Sequence, residues 1–253
     1  MYIGLISPAK DPMGHAISDY YKQGKAGKLR VFSSRFDEDE IPVTQLFRPF
    51  EEFPELEKTA IEMASGRILD VGAGSGCHSL ALQAAGKEVC AIDISSLSVD
   101  IMKQQGIKDV RLVNLFDEQF TGPFDTILML MNGSGIIGKL EHMPAFFRKM
   151  KLLLAPGGAV LMDSSDLRFL FEEEDGSYLI DLAGDYYGEI DFRMKYKQIE
   201  GEPFDWLYID FMTLSLYASE NGFKVQLIQE GEHYDYLVRL TPDLNPTSKS
   251  SNS

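Results

Sequence analysis

One stretch constrains the fold of this chain more than any other: Arg67-Ile-Leu-Asp-Val-Gly-Ala-Gly-Ser-Gly-Cys-His-Ser-Leu-Ala-Leu82. It opens as a short apolar strand, passes Gly72, Gly74 and Gly76 at alternate positions, and continues with helical spacing. Alternate glycines leave the turn free of side chains, so a ligand can come close to the backbone. The helix that follows turns unpaired N–H groups toward the same place. A tight strand–helix turn without a ligand would share this pattern, so the neighbouring segments have to decide.

They alternate. A helix over 51–65 carries Leu56, Ala60 and Met63 on one face and stops at Gly66. The strand 68–71 and the helix 77–85 follow, then the strand 88–92 ending at Asp93. Ser95 or Ser96 caps a helix over 97–105, and strands at 110–114 and 124–131 come next. A helix at 144–154 leads to a strand at 159–163. Apolar strands alternating with helices predict a doubly wound α/β fold, a mostly parallel sheet covered on both faces. A helix at 211–221 behind Asp210, then strands at 223–229 and 233–240, complete a seven-stranded sheet with an antiparallel last strand. Ligands of such sheets sit beyond the carboxyl ends of the strands. Those ends carry Asp70, Asp93, Asn114, Asn132 and Asp163.

Two regions stand outside this scheme. Residues 1–50 have no regular pattern, yet they hold Tyr20, Tyr21, Phe32, Phe36, Phe47 and Phe50, too many aromatics for a disordered tail. Residues 167–209 read as a short helix to Asp175 and a β-hairpin, 188–199 with 204–209, inserted into the domain of 51–245. The polar tail 246–253 is expected to be flexible. Most of the N-terminal aromatics are expected to pack the segment onto the domain, with Tyr20, Tyr21 and Arg48 as pocket candidates.

The net charge of −15 opposes binding to phosphate backbones and anionic lipid, so neither nucleic acid nor membrane is expected as a partner. Two unclustered cysteines, Cys77 and Cys90, form neither a disulfide framework nor a metal-binding spacing. No metal is expected. The first residues lack the basic-then-apolar pattern of a signal peptide, and a cytoplasmic location follows.

Asp93, at the end of the second strand, suits the two hydroxyls of a ribose; a helix cap is the plainer role for it. A dinucleotide fingerprint needs G-x-G-x-x-G, and its last glycine is replaced here by Cys77. A nucleoside without a pyrophosphate fits better, and the carboxylates of Asp70 and Asp93 suit a cationic ligand.

Ile68 to Gly76 resembles the first motif of the class I S-adenosylmethionine-dependent methyltransferases. Ala91-Ile-Asp-Ile-Ser95 resembles their second motif, Pro123-Phe-Asp-Thr-Ile-Leu128 their fourth-strand motif, and Leu152 to Gly158 the lead into their fifth strand. The resemblance spans about residues 66–163. It implies S-adenosyl-L-methionine as cofactor and a role for each matching residue. Gly72, Ala73 and Gly74 would pass under its methionine part, with Asp70 helping to hold that end. Asp93 would take the ribose hydroxyls and Ile94 would lie against adenine. At the third-strand exit Asp117 competes with Asn114 and Phe116 for the adenine amino group. Met131, Asn132 and Gly133 would border the transferred methyl.

No catalytic base is assigned: none of His15, His78, His142 and His233 stands out, and His233 is kept only as a substrate-contact candidate. No Pro-Pro-aromatic element follows the fourth strand and no Pro-Cys nucleophile occurs, which disfavours DNA bases as acceptors. A small-molecule acceptor is expected, walled by 1–50 and 167–209, although the hairpin could instead make a homodimer. An NAD(P)-dependent oxidoreductase and a non-catalytic nucleoside-binding protein are the alternatives.

Overall fold

The computed structural model describes residues 4–173, 175, 177–179 and 184–243, so the expected flexible tail lies outside the described residues. The glycine turn sits at its centre. β3 (Arg67–Val71) leads through it into α3 (Cys77–Ala84), and β4 (Glu88–Asp93) into α4 (Ser96–Gln104). β5 (Asp109–Leu112), β6 (Phe124–Met129), α5 (Met143–Leu153) and β7 (Leu154–Ser165) continue the alternation. α6 (Phe211–Glu220), β11 (Phe223–Glu230) and β12 (Asp235–Pro242) close the domain, and α2 (Glu55–Met63) precedes it. The seven strands run β11-β12-β7-β6-β3-β4-β5. β6, β3, β4 and β5 pair in parallel, as do β6 and β7, while β12 is antiparallel to both β7 and β11. The order reverses at β3, which has β4 on one side and β6 on the other; this is the switch point where such sheets open a crevice.

Both faces of the sheet are covered, as the unbroken apolar strands require. Leu69, Val71, Ile127 and Met129 pack with Phe146, Phe147, Met150 and Leu214 on one side. Ile68, Leu128 and Leu161 pack with Leu56, Ala60 and Leu82 on the other. The two-residue alternation of side chains along each strand assigns neighbours to opposite cores.

The two outlying regions combine. α1 (Pro12–Gln23), β1 (Leu29–Phe32) and β2 (Asp39–Ile41) occupy the stretch whose sequence shows no regular pattern. β8 (Glu189–Tyr196), β9 (Ile199–Glu200) and β10 (Phe204–Leu207) realise the expected hairpin, with Phe204 opposite Phe192 and Leu207 opposite Glu189. β1 then pairs with β8, Leu29 opposite Tyr196 and Phe32 opposite Arg193. The result is a second, antiparallel sheet, β10-β8-β1-β2, with β9 on β8. Its buried Leu29 and Tyr196 join Ala16 and Ile17 of α1 and Ile101 of α4 in one cluster, which fastens this sheet to the domain. Strands of four and three residues carry too little period to be read alone, although the two pair with each other as a hairpin. Leu167–Phe171 forms a 3-10 turn where a short helix to Asp175 is expected. Among the described residues, no helix is long and apolar enough to cross a membrane.

Candidate active site

All three glycines of the central turn are left-handed, with φ of +68° at Gly72, +58° at Gly74 and +89° at Gly76, so side chains are disfavoured throughout. Their surroundings differ. A Cβ on Gly76 would lie 2.4 Å from Ile107 Cδ1, so this glycine lets α3 pack. A Cβ on Gly74 would find no atom closer than 4.0 Å, so this backbone borders open space. The N–H groups of Gly72 and Ala73 both donate to the Ile92 carbonyl at 3.0 Å, and Gly74 donates to Asp93 Oδ2 at 2.8 Å. Asp93 Oδ1 accepts from the N–H of Ser95 at 2.8 Å. Its carboxylate is therefore fixed between the glycine turn and the start of α4. Burial outweighs these bonds and pushes its pKa up to about 6.

Ser95, the last residue of the second motif, caps α4 through Ser98 N and donates its hydroxyl to Asp11, which itself caps α1. The N-terminal segment is thereby tied to the strand end. Just before α1, Ile6 N donates to the Ile94 carbonyl at 2.9 Å, and Asn114 Nδ2 donates to the Gly4 carbonyl at 3.3 Å. The chain start thus crosses the exits of β4 and β5 beside half-buried Ile94. Asn114 Oδ1 holds the N–H of half-buried Phe116 at 2.8 Å, whereas Asp117 is exposed and caps its own loop through Gln119 N.

At the end of β6 the backbone is strained: Met131 and Asn132 are both left-handed, with φ of 63° and 57°. Two consecutive non-glycine residues in that region cost about 1–3 kcal/mol each and recur at ligand sites. What holds them is visible. Gly133 N donates to Asp163 Oδ1 at 2.8 Å, and Ser165 Oγ donates to Asn132 Oδ1 at 2.9 Å. Burial raises the Asp163 carboxyl to about 6, against the two backbone N–H bonds that lower it. Trp206 of β10 packs against this turn, so close that a Cβ on Gly135 would sit 1.8 Å from its ring.

Beneath the glycine turn is a buried charged chain absent from the sequence expectations. Arg48 Nη2 bonds both oxygens of Glu57, at 2.9 and 3.0 Å, and His78 Nε2 meets Glu57 Oε2 at 2.8 Å. Arg48 Nε is buried without any partner. Asp70, 2% exposed, takes the Ser79 hydroxyl at 2.6 Å, and burial raises its pKa. The sequence did carry one signal for this chain: Glu57 is a charged residue beside Leu56 on the apolar face of α2. Of the remaining candidates, Tyr20 packs on Phe47 in a tilted pair with ring centroids 4.8 Å apart, while Tyr21 is exposed and His233 sits exposed on the turn before β12. A second unforeseen group is the pair Tyr186 and Tyr187, whose hydroxyls donate to Asp210 at 2.7 and 3.2 Å.

A methyltransferase-domain family model matches residues 44–227. The chain belongs to the S-adenosylmethionine-dependent methyltransferases. A solved methyltransferase from Bacteroides fragilis, in complex with S-adenosyl-L-homocysteine, is 68% identical over 96% of this chain and 99% of that one, with a TM-score of 0.91. The CcbJ methyltransferase of Streptomyces caelestis shares the fold at 13% identity, covering 93% and 99% of the two chains, with a TM-score of 0.61. Among curated proteins, a cypemycin N-terminal methyltransferase from Streptomyces is 34% identical over 39% of this chain and 42% of its own length. A ubiquinone biosynthesis O-methyltransferase from Xanthomonas euvesicatoria is 28% identical over 59% and 64%. The chain therefore spans less than two thirds of either curated relative. S-adenosylmethionine is the cofactor, and the oxidoreductase and non-catalytic alternatives find no support. The residues present fit it: open backbone at Gly74, a fixed carboxylate at Asp93, and a buried guanidinium N–H lacking an acceptor.

Proposed function

We propose that this methyltransferase acts on a small molecule held between the strained Met131–Gly133 turn and the inner face of the second sheet. The observation that carries this reading is the convergence of three distant segments. Tyr20 and Phe47 from the N-terminal region, Met131 from the β6 exit and Met194 from β8 are all half-buried around one cluster. Half-buried apolar side chains on opposed walls suit a compact, partly apolar acceptor. The hairpin spends its own apolar face within the chain, with Ile190 and Tyr196 each 1% exposed, which speaks against that face as a homodimer surface. A cavity of about 330 Å³ lined by Ser65, Gly66, Asp125 and Pro156 lies near the amino end of β3 and has no part in this reading.

When bound, the cofactor supplies a methyl already activated on a sulfonium. The protein's task is therefore to bind, orient and dry the site. Gly72, Ala73 and Gly74 offer side-chain-free backbone to the methionine part, and Asp70, tied to Ser79, backs that turn. Asp93 accepts from the ribose hydroxyls, with Ile94 and Phe116 against the adenine and Asp117 at its rim. Met131, Asn132 and Gly133 border the methyl, and Asp163 and Ser165 keep them there. Of the acceptor candidates, Tyr20 and Arg48 are half-buried, whereas Tyr21 and His233 are exposed. Both free cysteines are buried, and burial pushes each thiol up to about 12, which suits a reducing cytoplasm. The test is a methyl-transfer screen with labelled cofactor over small metabolites, proteins and nucleic acids. Turnover on small molecules is expected; label found only in macromolecules would overturn the reading.

A further inference from the structure

The chain Arg48–Glu57–His78 is drawn from three elements: the residue after the 3-10 turn Val43–Phe47, helix α2, and the first turn of α3. Its members are almost fully enclosed, with side-chain exposures of 15% for Arg48 and 7% for Glu57 and His78. A buried ion pair is held only if its groups are hydrogen-bonded. Glu57 meets that condition, because Arg48 and His78 both bond its carboxylate. Arg48 does not, because Nε has no acceptor. A buried donor left open costs about 1–3 kcal/mol, so this N–H calls for an acceptor that the described residues do not supply.

The charge count turns on His78. With the imidazole protonated, Glu57 is shared by two cations, and the three members of the chain carry one net positive charge. With it neutral, Arg48 and Glu57 cancel. The groups facing His78 are Glu57 from α2, Asp70 from β3 and Asp163 from β7, with the Phe53 ring 5.0 Å away and Cys77 beside it on α3. Burial alone would lower the imidazole pKa; the Glu57 bond and these three carboxylates raise it above the usual histidine range.

We propose that His78, in its protonated form, is a positioning residue for the amino-acid end of the cofactor: it takes up half of Glu57 and so frees the Arg48 fork for that end's carboxylate. This rests on the cofactor assignment above. It makes a claim that assignment does not: affinity for the amino-acid part depends on pH through His78, and affinity for the adenosyl part does not.

Two probes separate these. S-adenosylhomocysteine carries the carboxylate; 5′-methylthioadenosine keeps the nucleoside and lacks it. Calorimetry runs from about pH 7, where Asp93 and Asp163 are mostly ionised, to about pH 9. Wild-type affinity for S-adenosylhomocysteine should fall on the order of 10-fold across this window beyond the fall seen in His78→Gln, and methylthioadenosine should change by less than about 2-fold. His78→Gln keeps an N–H donor to Glu57 but cannot be charged. The ligand's own amino group titrates equally in both proteins, so the difference between their slopes is the readout. Equal slopes for the two proteins, or a matching slope for methylthioadenosine, would overturn the proposal. Imidazole nitrogen NMR on the wild type is the second measurement, valid even if the variant does not fold. By reciprocity, S-adenosylhomocysteine must raise the pH at which His78 titrates and methylthioadenosine must not; no difference between them refutes the inference. Failure of both nucleosides to bind would sink the cofactor assignment itself, a separate result.

Discussion

The two sheets of this protein carry the same kind of residues and differ in how far apart their partners lie. In the seven-stranded sheet, β3, β4 and the glycine turn between them are consecutive, and the key bond from Gly74 to Asp93 spans 19 residues. In the second sheet, Gly27 donates to the Tyr196 hydroxyl across 169 residues. The first kind of sheet leaves its trace in the local sequence, because strand, turn and helix each set their own period. The second is written in two halves, neither of which buries anything by itself. In the reading proposed above, the division also follows function: the local sheet carries the cofactor residues, and the non-local sheet faces the acceptor.

Four experiments would break or sharpen this division. The largest effect is expected at Gly76, where a side chain would meet Ile107 and Met102 and adopt φ near +89°. Gly76→Val should cost about 2–5 kcal/mol, from overpacking and backbone strain together, and lower the urea midpoint of the whole chain. A loss confined to ligand binding would mean that this turn is not part of the core. Gly135→Ala comes next. Its methyl would collide with Trp206, the sole tryptophan, so fluorescence reports the displacement directly. A destabilisation of about 1–3 kcal/mol is expected, with acceptor turnover lost while methylthioadenosine affinity is kept. Nucleoside binding lost in parallel would erase the distinction between the two sheets.

Asp93→Asn is the third. It should weaken methylthioadenosine by about 1–3 kcal/mol, since the ribose hydroxyls lose a charged acceptor; unchanged affinity would remove Asp93 from the ribose site. The smallest effect is the acid limb. Burial raises Asp93 and Asp163 from 3.8 to about 6 in the folded chain. Between those values the folded state binds more protons than the unfolded one, so these two groups add stability as pH falls from 6 toward 4 and withdraw it as pH rises. Over the same interval Asp93 loses its charge, and methylthioadenosine affinity should fall about 5-fold, the difference between a charged and a neutral acceptor. Asp163→Asn should flatten part of the stability slope and leave most of the nucleoside slope. The reverse pattern would exchange the roles of the two carboxylates.

Within the candidate site, what could be read ahead of the structure follows the same line. Gly72, Gly74 and Asp93 announce themselves through spacing, because a strand that ends in a carboxylate opposite a glycine turn is a local object. Asn132 was foreseen as a polar strand end. Its left-handed backbone was not, because no glycine stands there, and Gly133 and Ser165 impose the conformation through Asp163 and Asn132. His78 did not stand out among the histidines because its partner, Glu57, lies on another helix 21 residues earlier. Arg48 stood among the pocket candidates, but its unpartnered Nε is defined only once Glu57 has taken Nη2.

The sequence by itself therefore determined the doubly wound sheet and the carboxylate-ended strand beside a glycine turn, which rest on short-range periodicity and on glycines that a turn requires, while the resemblance of its motifs supplied the cofactor. Only the tertiary structure decided what roofs the site and what charge lies beneath it. β1 and β8 become a sheet, and Arg48, Glu57 and His78 become one ionic chain, only when folding removes them from water together. Backbone and charged groups find their partners under that demand, and no local pattern records which partner a distant segment will supply.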